Sequence, residues 1–137
     1  PKIREFLGEK IGVPIVGSVG AGDEMHYYAE GHDPAEFAPA LPDTGSDTVA
    51  VEIRGTSLGP ALEGWLAYYD DRQQPVTPSL LNRLCVVGLP DGRVLIKILR
   101  QAREPGTYHL FPNAGGDVLF DEEIEWAARV IDLRPRA

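Results

Sequence analysis

Hydrophobic and polar residues alternate in short runs along this chain, and the clearest run is Asp91-Gly92-Arg93-Val94-Leu95-Ile96-Lys97-Ile98-Leu99. A two-residue period puts Lys97 on the same strand face as Leu95 and Leu99, with Ile96 and Ile98 opposite. Comparable runs predict strands near residues 13–19, 48–54, 66–70, 83–89, 93–100, 107–111 and 128–133, the last closing the sheet. Fifteen glycines and twelve prolines punctuate these runs, as turns require. The pattern predicts a mainly β, compact and partly barrel-like fold with few short helical turns, placed at 34–37, 78–82 and 121–125. The stretch 23–47, rich in Gly, Pro, Asp and Ala, reads as a long loop. Residues 1–12 read as the end of an interdomain linker, in which Ile3, Phe6 and Leu7 make one amphipathic turn, and residues 13–137 as a single domain.

Composition narrows the function classes. With 137 residues, 43% of them hydrophobic, the chain can bury one core. Thirteen basic against 21 acidic residues give a net charge of -8, which opposes nonspecific contact with phosphate backbones. A single cysteine, Cys85 in an apolar run, excludes an internal disulfide and reads as a buried strand residue. No apolar stretch approaches the length of a membrane span and no secretory signal is evident, so the expected location is cytoplasmic. His26, His32 and His109 with Cys85 lack the close spacing of zinc ligands, so no metal is expected. Gly115-Gly116 lacks the Lys and Ser/Thr of a phosphate loop, and no cofactor is assigned. Tyr27-Tyr28 and Tyr68-Tyr69 suit either the core or an interface.

The candidate chemistry begins with Lys97, because an amine on an apolar strand face must be desolvated or find a polar partner. Ser57 lies in Arg54-Gly55-Thr56-Ser57-Leu58-Gly59-Pro60, where a strand breaks into a tight turn. A serine hydroxyl is a poor nucleophile until a base removes its proton, and a neutral lysine amine can do so. The third element is Val13-Pro14-Ile15-Val16-Gly17-Ser18-Val19-Gly20-Ala21-Gly22, which ends in two small residues.

Val-x-Ala-Gly, then Gly-x-Ser-hydrophobic-x-Pro, then a lysine inside an apolar strand, is the order found in the self-cleaving serine peptidases of the LexA, phage-repressor and UmuD-like family, which this chain resembles from Val13 to Leu133. Gly64, the Asp91-Gly92 turn and Pro112-Asn113 belong to the resemblance, whereas Leu58 stands where the family usually has Met, a swap of similar volume. The resemblance implies Ser57 as nucleophile, Lys97 as general base, and Ala21-Gly22 as the scissile bond, cut within the same molecule. Backbone amides of Gly55, Thr56 and Ser57 are the expected oxyanion donors, and the cleavage segment is expected to enter a narrow cleft extended, with Gly22 easing its approach. Also implied are a homodimer through residues 111–133 and stimulation by the RecA filament during the SOS response to DNA damage. Family repressors begin with a helix-turn-helix domain. Residues 1–12 are too short for one, so contact with DNA is expected only through a domain outside this sequence. The chain then reads as the C-terminal domain of a transcription regulator or as a UmuD-like SOS mutagenesis protein. A noncatalytic dimerisation module and a peptidase acting on another protein are the alternatives.

Overall fold

Val, Ile, Leu and Tyr on alternating positions organise the chain into strands, because a strand with one or both faces apolar must bury them against another layer. The computed structural model describes residues 12–28 and 36–136. Its strands are β1 (Val13–Val19), β2 (Met25–Tyr27), β3 (Phe37–Ala38), β4 (Thr48–Ile53), β5 (Leu66–Asp70), β6 (Leu84–Gly88), β7 (Val94–Gln101), β8 (Thr107–Phe111), β9 (Leu119–Glu123) and β10 (Trp126–Arg134). They form one mixed sheet in the order β2-β1-β4-β5-β10-β6-β7-β8-β9, with β3 beside β1. Strands account for 48% of the structure, and the sheet is not closed into a barrel. Helical structure among the described residues is limited to three 3-10 turns, Ala21–Asp23, Pro60–Leu62 and Pro78–Leu80.

The sheet curls so that its two halves share a core. Val19 of β1, Val51 and Ile53 of β4 and Tyr69 of β5 pack with Val86 of β6, Ile96 of β7 and Trp126 of β10. Alternate residues of β6 and β7, Cys85, Val87, Leu95 and Leu99, join Leu110 of β8 in a second cluster. The expected two-residue period of β7 therefore holds, with Ile96 in one cluster and Leu95 and Leu99 in the other. Tyr68 and Tyr69 are both fully buried, on opposite faces of β5. Gly88 leaves the room that Trp126 occupies, since a Cβ there would lie 2.0 Å from the indole nitrogen.

Two of the expected helical turns contain strand instead over the residues described. The acidic run predicts a helical turn over 121–125, but Leu119–Glu123 pairs with β8 in the register Thr107↔Glu123 and Tyr108↔Glu122. Backbone pairing to an existing strand outweighs the weak helical preference of a short acidic run, and charge suits an edge strand. Phe37, expected in a turn over 34–37, pairs with Pro14 in β3; positions 34 and 35 lie outside the described residues. The linker expected at 1–12 lies outside them as well, apart from Gly12.

Candidate active site

The placement of Ser57 follows from strand direction. β1 and β4 pair in parallel, with Ser18↔Glu52 and Val19↔Ile53 in register, so both strands leave the sheet at the same end. The Arg54 amide extends this pairing by donating to the Val19 carbonyl at 2.9 Å. Residues following β1 and residues following β4 therefore meet. Ser57 Oγ donates to the carbonyl oxygen of Gly20 at 2.9 Å.

The serine turn is anchored on both sides of the hydroxyl. Leu58, 1% exposed, fills the first core, and its carbonyl accepts from Asn113 Nδ2 at 3.0 Å. Gly59 N–H closes the turn onto the Thr56 carbonyl at 2.9 Å. Gly55 and Gly59 have φ of 71° and 108°, a region open to glycine and strained for other residues. Among the described residues no hydrogen bond is donated by the backbone amides of Gly55, Thr56 or Ser57, the expected oxyanion donors. Asn113 was legible only as part of the Pro112-Asn113 resemblance, and its hold on the Leu58 carbonyl gives it a positioning role.

Lys97 approaches the same segment from the other half of the sheet. It is 5% exposed, and its amine donates to Asp23 Oδ2 at 2.9 Å. Asp23 is itself buried, and its other carboxylate oxygen, Oδ1, has no hydrogen-bond partner. A backbone bridge between Glu24 and Leu95 lays the segment against the part of β7 that carries Lys97. On the far side of the turn, Tyr27 hydroxyl and Tyr69 hydroxyl lie 2.6 Å apart and hold β2, the strand that leads away. Burial pushes both phenols above their ordinary range, so both stay protonated and one donates to the other.

The three sequence elements therefore converge, with a difference in detail. Ser57 grips Gly20 and Lys97 grips Asp23, on either side of Ala21-Gly22. The segment between them is a 3-10 turn, closed by the Asp23 amide on the Gly20 carbonyl at 2.9 Å, and Gly22 has φ 72°. The extended entry expected for Ala21-Gly22 is not the conformation observed, because residues 22 and 23 both take left-handed backbone angles. Ser57 and Lys97 share no hydrogen bond among the described residues: each spends its polar contact on the segment between them. Asp23, read from sequence as the first residue of a loop, was the partner sequence reasoning missed. Its one legible signal was an acidic residue two positions after Ala21 in a chain with a buried lysine.

The other polar candidates make no hydrogen bond to the Ser57 or Lys97 side chain among the described residues. Cys85 is buried, lies opposite Lys97 across the β6–β7 pairing, and donates weakly from Sγ to the Leu80 carbonyl. Burial pushes its thiol up to about 11, so it stands neutral. His26 lies on β2 and His109 on β8, where the His109 ring meets Phe120 edge-on; His32 is outside the described residues. No group of three potential metal ligands occurs among the described residues. No helix among them is long and apolar enough to cross a membrane. Comparison with known proteins finds no matching family model and no matching curated protein.

Proposed function

We propose that the domain is a latent serine peptidase that cuts its own Ala21-Gly22 bond, with Ser57 as nucleophile and Lys97 as general base. The observation that carries this reading is convergence: two side chains far apart in sequence, one on the turn after β4 and one on β7, each hydrogen-bond to the four-residue segment that contains the bond. Neutral Lys97 Nζ takes the proton from Ser57 Oγ, and Oγ attacks the Ala21 carbonyl carbon. The resulting oxyanion is stabilised by the amides of the Gly55-Thr56-Ser57 turn. On collapse the Ala21–Gly22 bond breaks, Lys97 returns the proton to the Gly22 nitrogen, and water hydrolyses the Ser57–Ala21 ester. Tethering supplies the segment at high effective concentration, which favours cleavage in cis over cleavage of another protein.

The resemblance to the LexA, phage-repressor and UmuD-like family extends this reading. Cleavage would detach the upstream segment and inactivate a DNA-bound regulator in the SOS response, with the RecA filament as stimulus. Copies would pair through residues 111–133, in the cytoplasm, and DNA would be bound only through a helix-turn-helix domain outside this sequence. A UmuD-like mutagenesis protein would use the same chemistry. A second reading, a noncatalytic dimerisation module, is favoured by one observation: the Lys97 amine is engaged by Asp23 rather than by Ser57.

Mass spectrometry of the purified protein held at about pH 9, where more of a lysine amine is neutral, separates the two. The peptidase reading expects a fragment beginning at Gly22, with Ser57→Ala and Lys97→Ala each slowing its appearance by about 100-fold or more. Equal cleavage in both variants, or none in the parent, would leave the dimerisation module standing.

A further inference from the structure

Strand β10 changes partners part-way along its length, and the change opens a crevice. Trp126 to Arg129 pair with β6 on one edge, whereas Val130 to Arg134 pair with β5 on the other, with a register shift between Val130 and Asp132. Beside Ala127 the place of β5 is taken by the connection that leaves it. The Ala127 amide donates to the Gln74 carbonyl at 2.9 Å, and the chain then runs through Thr77 into the 3-10 turn Pro78–Leu80. The crevice between this connection and β10 has a volume of about 230 Å³. Sites for drug-sized ligands span roughly 300–1,000 Å³, so its occupant is small.

Its lining combines hydrogen-bond donors with aliphatic surface. Leu80, Ala127 and Ile131 supply the aliphatic part, and Arg72 and Arg129 supply cations. Arg72 is partly committed, with Nε on Asp47 at 3.0 Å and Nη2 3.8 Å from Asp70 Oδ2. The Arg129 guanidinium makes no hydrogen bond or ion pair among the described residues, so its planar fork of donors is open to a ligand. Nearby, the Thr77 and Ser79 hydroxyls lie 2.8 Å apart. One donates to the other, and the accepting hydroxyl keeps its own proton for a third group. Asp70 also lines the crevice, its Oδ1 accepting from the Thr48 hydroxyl at 2.6 Å, and its charge repels an anion more strongly the more negative that anion is.

We propose that this crevice binds a single carboxylate on a short aliphatic stem, the carboxylate on the Arg129 fork and the stem against Leu80, Ala127 and Ile131. A planar carboxylate matches the paired donors of a guanidinium, and the Thr77–Ser79 hydroxyl pair supplies a further donor. The aliphatic lining gives the stem surface to cover. Asp70 and the net charge of -8 weigh against a phosphate dianion and against nucleic acid. Two sources share this chemistry, a free short-chain acid and the C-terminal residue of a polypeptide. The site stands apart from the self-cleavage reading, since no residue that lines it takes part in the hydrogen bonds of Ser57 or Lys97.

The test is titration of the isotope-labelled full chain with isovalerate, followed by amide NMR, beside isovaleramide, which keeps the shape without the charge, and inorganic phosphate. Isovalerate should shift the amides of residues 77, 79, 80 and 127–129 saturably, with a Kd on the order of 1 mM. Isovaleramide and phosphate should each bind at least about ten-fold more weakly. Arg129→Gln should weaken isovalerate by about ten-fold or more, and Arg129→Lys, which keeps the charge and loses the fork, by about three-fold. Arg129 is exposed, so amides remote from the crevice should not move in either variant, and if Arg129→Gln disturbs them, Arg129→Lys decides alone. No saturable shift up to about 50 mM isovalerate, an amide or phosphate that binds as tightly, or a variant with the parent's affinity overturns the proposal. A tripeptide ending in valine, run with a free carboxylate and as its amide, separates the sources: tighter binding of the free-ended peptide than of isovalerate assigns the site to a polypeptide end, and equal or weaker binding assigns it to a free acid. Cleavage enters none of these readings, so their failure leaves the peptidase reading untouched.

Discussion

Lys97 and Arg72 each hold an aspartate at nearly the same distance, 2.9 Å to Asp23 and 3.0 Å to Asp47, in very different surroundings. The first pair is almost fully enclosed; in the second, more than half of each side chain is open to water. In water, screening and side-chain entropy leave an ion pair with little net effect. In an enclosed site both charges have lost hydration, so each depends on the other and removing one strands its partner. The same kind of pair thus carries little where water surrounds it and much where it is enclosed.

The largest expected effect tests the enclosed pair directly. Lys97→Ala should lower unfolding free energy near neutral pH by about 3–5 kcal/mol, measured by urea denaturation, because Asp23 is left buried and unpaired. A change below about 1 kcal/mol would place Asp23 in effective contact with water and erase the contrast.

An intermediate case is Cys85, enclosed but without a charge partner in contact. Its thiol is raised by burial from 9.0 to about 11, so the folded state binds that proton more tightly than the unfolded chain does. The stabilisation is complete below about pH 9 and is lost as pH climbs through about 11. Unfolding midpoints followed across that window should fall more steeply in the parent than in Cys85→Ala. Parallel curves would show that the thiol is not desolvated.

The smallest effect belongs to Arg72→Ala, expected to change stability by no more than about 0.5 kcal/mol and to lose even that in high salt. A cost comparable to that of Lys97→Ala would mean that exposure does not govern these pairs.

Much of this architecture can be read from residue pattern. Each of the seven expected strands has its counterpart in β1, β4, β5, β6, β7, β8 or β10, because long alternating or continuously apolar runs have few other ways to bury themselves. Of the strands not foreseen, β2 and β3 are only three and two residues long and β9 is largely acidic, and they carry polar or exposed residues such as His26, Asp121 and Glu122. Their strand character comes from backbone pairing to a neighbour, which no local periodicity records. In the candidate site, the serine turn and the lysine strand were legible for the same local reasons: glycines with positive φ around Ser57, and aliphatic neighbours around Lys97.

Sequence by itself therefore determined a mainly β chain, a hydroxyl on a glycine-rich turn, and an amine that has to leave water. Tertiary structure decided what each of them touches. The parallel pairing of β1 with β4 brings Gly20 to Ser57, and the curl of the sheet brings Asp23 to Lys97 across most of the chain's length. Local pattern encodes which groups must be buried, because burial is a property of each residue's own chemistry. The choice of partner depends on strand order and direction, which only the assembled sheet fixes.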